Sequence, residues 1–451
     1  NIAIGDLALA AQDAGADAFN VAIGYNAGIS VSTGVNNTLI GGTVASALED
    51  GANNVAIGRA AFATAESDSN NIAIGYAALN AQNGAGTAYN IGIGHNAGAS
   101  VTTGIRNTLI GGIAGDALTT GNTNVALGYQ ALSLETAGNK SVAIGSNTLQ
   151  SQNNTSTKDV YNTAVGYLAG SAVTTGDKNT FIGAEAAQTN TVGYKNTALG
   201  FQALTSNADG STTVAVGYRA LLSMDPSSAT EMFNVAVGYD AGLSVTTGVQ
   251  NTIIGGLAGD AITTGSNNTS LGYGSLSAAT TGAENTLIGG LAGDAITTGS
   301  LNTAVGYFAL STEDEHGANV AIGNNSLKLL NANTNAFNTA VGYDSGKSVT
   351  TGVKNTLIGG SAGDALTTGE GSTAVGYAAL STETSGGKNT AIGARSQEDV
   401  NNSGNGNNTS VGFESMLNAT TAVGNTAIGS SSMAGVMTGD FNTAVGYLSA
   451  T

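Results

Sequence analysis

The chain has 451 residues with a formal net charge of −18, and it contains 68 Gly, one Pro and no Cys or Trp. Absent cysteine excludes disulfides, and twelve basic residues spread thinly give no patch to neutralise phosphates, so nucleic acid is not an expected partner. No apolar run reaches the roughly 18 residues of a membrane-spanning helix, and the opening residues do not read as a signal peptide.

Taken in chain order, one motif recurs: Asn, then Thr or Val, a small residue, an aliphatic and Gly. Copies begin at 1, 20, 37, 54, 71, 90, 107, 124, 141, 162, 179, 196 and 213. They continue at 234, 251, 268, 285, 302, 319, 338, 355, 372, 389, 408, 425 and 442, which makes twenty-six. Nineteen of the twenty-five intervals are 17 residues, four are 19 and two are 21. Such a period describes one quasi-linear array whose units touch only their neighbours, so residues 1–451 read as one continuous repeat domain. The first residue already occupies the first slot of a repeat and the last copy stops ten residues in. Neither end reads as a polar cap, so a piece of a longer chain is expected.

Numbering slots from the Asn, slot 4 is Ile, Val or Leu and slot 5 is Gly in every copy. Slot 15 is Gly in most unexpanded copies, including Gly34, Gly104 and Gly248. Two glycine corners per period predict two short strands, because Gly takes positive φ without a Cβ clash. A helical reading fails: Gly at every slot 5 costs about 1 kcal/mol against Ala, and 17 residues leave no room for two helices. The expected fold is all-β, a parallel β-solenoid whose coils stack about 4.8 Å apart into a rod.

In such a stack each slot becomes a ladder of like residues. Asn162, Asn251 and Asn302 belong to an amide ladder at slot 1, where Asn also suits a turn. Val165, Ile254 and Val305 are assigned to an interior aliphatic ladder, with Gly166, Gly255 and Gly306 at the corner after it. Slots 3 and 6 are inversely sized, as in Leu39 with Gly42 and Ala304 with Tyr307, so the two are expected to fill one shared space. Small residues at slots 3 and 8 are expected to leave an approachable apolar outer face, and such a stripe predicts self-association.

The six longer intervals follow the copies at 1, 71, 141, 213, 319 and 389, giving super-repeats of 20–89, 90–161, 162–233, 234–337, 338–407 and 408–451. Five expansions end in an aromatic: Phe19, Tyr89, Tyr161, Phe233 and Phe337. These are expected to be surface loops pinned by the aromatic, and loops on a rigid scaffold are where binding resides.

Chemistry-bearing motifs are few. The strings around Asp116, Asp260, Asp294 and Asp364, such as GGLAGDAIT, come close to the calcium nonapeptide of parallel β-rolls. Calcium needs six to eight oxygens, and these motifs lie at least two coils apart, so the four aspartates are weak calcium candidates. TTG strings, as at 102–104, place only one Thr per coil outward and do not make an ice-binding face. His95 and His316 lack a nucleophile context, and neither a catalytic nor a cofactor-binding constellation is read.

SVAIG at 141–145, with NTAVG and NVAIG elsewhere, resembles the head repeats of YadA-like trimeric adhesins. The longer NTAVGYxAL with TTGxxNTxIG is similar to repeats in bacteriophage tail-fibre and virion structural proteins. The resemblance covers essentially the whole chain, although its 17-residue coils and four-coil rhythm depart from the YadA-like pattern. It implies a left-handed β-roll, a homotrimer and an extracellular fibre whose partner is a host-surface glycan or protein receptor. The first expectation is a phage tail-fibre shaft and the second a YadA-like adhesin. A fibre with depolymerase activity is a third class, for which the chain shows no catalytic constellation.

Overall fold

A computed structural model describes every residue except Ala16, Ala85, Met437 and Thr451. Twenty-six three-residue strands, β1 (Ile2–Ile4) through β26 (Thr443–Val445), fall one per repeat on slots 2 to 4, and the described residues form no helix. The chain divides into two units. The first, Asn1–Met232, carries β1 to β13 (Val214–Val216), and the second, Phe233–Thr451, carries β14 (Val235–Val237) to β26. Each unit is a parallel β-solenoid of 17-residue coils.

Within a unit, each strand pairs in parallel with the next, slot for slot. Thr163, Ala164 and Val165 stand opposite Thr180, Phe181 and Ile182. The longer intervals do not shift this register: Ile72 faces Ile91 and Val320 faces Thr339 across expanded coils. The extra residues are therefore extruded at one corner.

Only one strand per coil forms, where two were expected. The opposite flank is built from left-handed residues, as at Phe308 (φ 55°), Leu310 (φ 55°) and Ala318 (φ 61°) in one coil. Left-handed backbone is costly for residues with a Cβ, so other interactions must hold it. Coil-to-coil hydrogen bonds do so here too: the Leu276 and Ala278 amides each donate over 3.1 Å, to the Ala292 and Asp294 carbonyls of the next coil.

The slot-5 glycine is required twice over. At Gly255 φ is +137°, and a Cβ there would lie 2.4 Å from the Gly272 carbonyl oxygen. The slot-15 glycine answers only to proximity: a Cβ on Gly248 would meet the Gly265 oxygen at 2.3 Å, and its φ is not left-handed.

The buried column is slot 3, not slot 4. Strands read half-buried, buried, half-buried, so Ala164, Ile253 and Ala304 point inward. Val165, Ile254 and Val305 form the expected ladder on the outer face of the sheet, and Leu271 and Ile358 are about 40% exposed. Period-two alternation on a strand sends neighbouring side chains to opposite faces, so slot 4, next to the buried slot 3, faces outward. Slot 8 is also interior, as at Ala27 and Ala258.

Slots 3 and 6 therefore do not share a space, since Ala304 is buried while Tyr307 is half-exposed. Slot 3 is instead matched by slot 9. Leu109, Ile253 and Leu287 go with Gly115, Gly259 and Gly293, whereas Ala126, Ala304 and Ala374 go with Leu132, Leu310 and Leu380. A Cβ on Gly293 would lie 2.8 Å from Leu287 Cδ1, which shows the two slots competing for one volume. Coils small at both slots are filled by their neighbours: a Cβ on Gly98 would lie 2.6 Å from Leu109 and 2.9 Å from Leu79.

This packing predicts a coupled pair. Ala304→Leu should lower stability by about 1–3 kcal/mol through overfilling, and Leu310→Ala by about 2–5 kcal/mol through a cavity. The double variant should lose clearly less than their sum, read from guanidinium midpoints; simple additivity would contradict a shared volume.

Candidate functional site

The corner that carries the extruded loops gathers most of the polar chemistry. The loop-ending aromatics Phe19, Tyr89, Tyr161, Phe233 and Phe337 all adopt φ of +51° to +56° and lie on the surface. At Tyr161 the hydroxyl ties the loop down, donating to Asp159 at 3.0 Å and accepting from Lys140 Nζ of the preceding coil at 3.2 Å. The residue before each aromatic is an anchor as well, because Ala18, Ala88, Val160, Met232 and Ala336 are buried. The Val160 and Met232 amides also donate 3.0 Å bonds to the Asn139 and Ser211 carbonyls of the preceding coil. A left-handed residue between two inward-facing slots necessarily throws its ring outward.

Loops dock on buried acids in the coil that precedes four of the five internal expansions, those in the coils beginning at 71, 141, 319 and 389. Glu135 accepts from the Gly138 amide at 2.7 Å, the Asn154 amide at 3.0 Å and Gln152 Nε2 at 2.8 Å. Glu383 accepts from the Gly386 amide at 2.7 Å and the Asn402 amide at 3.0 Å. Glu313 takes the His316 amide of its own coil at 3.1 Å and the loop's Ala332 amide at 3.4 Å, and Asp68 takes the Gly84 amide at 3.1 Å. Before the remaining expansion, Asn207 accepts from the Gly210 amide of its own coil at 2.8 Å. A buried carboxylate is tolerable only when so bonded. Sequence reading missed this role, although the acids at slot 12, an otherwise mostly apolar column, were a signal.

Folding also concentrates the scarce cations. Arg106, Lys140, Lys178, Lys195, Lys354 and Lys388, six of the twelve basic residues, share the slot-17 column with the loop-ending aromatics. Lys140 Nζ lies 2.6 Å from Asp159 and 5.1 Å from the centre of the Tyr161 ring. Lys195 sits 5.3 Å from the Tyr194 ring centre, and Lys178 lies 3.7 Å from Asp177. Cations that look scattered along the chain are brought into columns by the 17-residue period, a convergence visible only after alignment by slot.

The remaining candidates stay apart. Asp116, Asp260, Asp294 and Asp364 each occupy slot 10 of a different coil, with Oδ1 buried and unpaired. Burial pushes all four carboxyls above the usual range. No cluster of three or more metal-ligating side chains occurs among the described residues, so each would offer calcium one carboxylate where six to eight oxygens are wanted. His95 stacks on Tyr76 with ring centres 5.2 Å apart, and His316 Nδ1 is 4.0 Å from Glu313. The threonines at 102, 246 and 297 bond along the axis, Thr297 Oγ1 donating to the Asp314 carbonyl at 2.8 Å.

The slot-1 ladder is both rail and turn. Asn251 Nδ2 donates to the Gly265 carbonyl of its own coil at 2.9 Å, and its Oδ1 accepts the Asn268 amide at 3.0 Å. Asn162 and Asn302 likewise accept the amides of Asn179 and Asn319, at 2.9 and 3.1 Å. No protein-family model and no curated protein sequence matches the chain.

Burial raises the Glu313 and Glu383 carboxyls above their ordinary 4.5. A carboxyl raised on folding favours the protonated native state, so its penalty is full above the folded value and relieved as pH falls toward 4.5. Amide exchange in residues 330–336 and 400–406, corrected for intrinsic rate, should therefore slow between pH 7 and pH 4.5. Glu383→Gln should flatten that dependence for the second loop, and an unchanged profile would contradict the linkage.

Proposed function

We propose that this chain is a structural fibre segment, the shaft of a bacteriophage tail fibre or similar virion appendage, acting outside the cell and without enzymatic activity. The observation that carries this reading is the exposed slot-4 rail. One Ile, Val or Leu per coil stands on the outer sheet face, with Leu271, Ile322, Ile358 and Ile392 about 40% exposed. Contiguous apolar stripes on this scale mark interfaces, and a left-handed homotrimer would bury three such rails against one another. Thirteen coils per unit also supply about 60 Å of regular stacking each, which suits a spacer.

A YadA-like surface adhesin is the second reading. It draws on the corner column, where cations and rings such as Lys140 with Tyr161 stand outward beside protruding loops. A host-surface glycan or protein receptor would engage there, and the four slot-10 aspartates remain the place to look for calcium.

Light scattering of the purified chain at micromolar concentration should give three times the chain mass. Ile254→Lys with Ile288→Lys and Ile358→Lys should lower that mass while leaving the circular dichroism of the coils unchanged. A monomeric wild-type chain would remove the trimer.

A further inference from the structure

Slot 6 of the second unit carries a periodic row of rings. Tyr239, Tyr273, Tyr307, Tyr343, Tyr377, Phe413 and Tyr447 occupy every second coil, and the coils between hold Gly256, Gly290, Asn324, Gly360, Ala394 and Ser430. Two coil steps place successive rings about 9.6 Å apart. The spacing survives the expansions, because Val320 still pairs with both Thr303 and Thr339 across the coil that separates Tyr307 from Tyr343.

The rings lie beside the small residues of the coils between them. A Cβ on Gly290 would lie 3.3 Å from Tyr307 Cδ2, and one on Gly360 would lie 3.6 Å from Tyr377 Cδ2. Tyr307 and Tyr377 thus lie against the small residue of the preceding coil, and Tyr307 also meets the Phe308 ring, their centres 4.2 Å apart. Tyr273, Tyr343 and Tyr377 are 63–65% exposed. Burying apolar rings in this way would be the ordinary outcome for a single core, yet here the fold holds seven outside it.

We propose that the Tyr273–Tyr307–Tyr343–Tyr377 row is a binding track for an extended, β-1,4-linked polysaccharide. The axial C–H face of an equatorially linked pyranose stacks on an aromatic ring, and in such a polymer alternate residues present the same face. The distance between those like faces is one disaccharide, close to the two-coil step. Exposed rings at that step engage every second sugar and leave the intervening sugar over the Gly or Asn coil. The match needs no cation, which separates this track from the slot-17 corner. It deepens the fibre reading by naming a polymer the shaft would lie along, and it rests on that reading only for its setting.

The test uses the whole chain with cellohexaose and chitohexaose in isothermal titration, with the corresponding disaccharides for comparison. At least one hexaose should bind, more tightly than its disaccharide. Tyr307→Ala should weaken it about tenfold, and Tyr307→Ala with Tyr343→Ala should abolish it. A chain lacking the two exposed loop residues Ser403 and Gly404, which restores the 17-residue interval, should bind as before, because that loop lies at another corner. Circular dichroism and light scattering on each variant separate loss of the track from loss of the fold or assembly. No binding of either hexaose, binding insensitive to the tyrosine changes, or a tyrosine variant that falls to monomer would overturn the track. The last outcome would assign the row to the contact between copies, and a failed titration with an intact trimer would leave the fibre reading standing.

Discussion

One buried amide per coil holds the stack together. The slot-1 Asn stands where the chain leaves the left-handed slot-17 residue and enters the strand, and its backbone N–H has no strand partner of its own. The Oδ1 of the preceding coil's Asn supplies one, as from Asn251 to Asn268 and from Asn268 to Asn285 at 3.0 and 3.1 Å. The Nδ2 meanwhile closes the coil on its own slot-15 carbonyl, 2.9 Å away in both residues. An aspartate would have no donor for that carbonyl, and a shorter side chain would not span both partners. Since an unmet buried polar group costs about 1–3 kcal/mol, the asparagine is demanded at every turn. The exceptions are instructive: Ser372 accepts the Asn389 amide only at 3.4 Å, and Gln152 Nε2 donates to Ser141 Oγ at 3.0 Å in a coil where an expansion follows.

The glycines follow from the same stacking. Coils close enough for these bonds bring slot 5 of one coil against the carbonyl of the next, so a Cβ on Gly166 would sit 2.4 Å from the Gly183 oxygen. Period, Asn and Gly were legible in the sequence because each is set by repetition along one axis. Which way each side chain faces was not. The sequence reading put Val165 and Ile254 inside because slot 4 is aliphatic in every copy, whereas the strand turns slot 3 inward, Ala164 and Ile253 in the same coils, and alternation leaves slot 4 on the outer face. The inverse sizing of slots 3 and 6 was a true pattern attached to the wrong partner. Several coils carry both a slot-6 Tyr and a slot-9 Leu, as in Tyr307 with Leu310, and only the fold shows that the Leu competes with slot 3 while the Tyr lies outside.

The loop corner was half legible. The spacing of the longer coils located the loops, and their closing aromatics stood out by type. The buried Glu135, Glu313 and Glu383 lie in the preceding coils, about twenty residues away in sequence from amides such as Asn154 and Asn402, so no local signal connected them. The same geometry turns dispersed residues into columns: Lys178 and Lys195 become neighbours along one edge, and Tyr273 and Tyr307 along another.

Residue-resolved hydrogen exchange at the slot-1 amides of Asn251, Asn268, Asn285 and Asn302 bears most directly on this account. These amides bond only to a side chain of the neighbouring coil, and the account places their protection at the level of the strand amides of Thr252, Thr269, Thr286 and Thr303. Exchange of the slot-1 amides at the rate of exposed loop amides, with the strand amides still protected, would show that the asparagine rail does not hold the coils together.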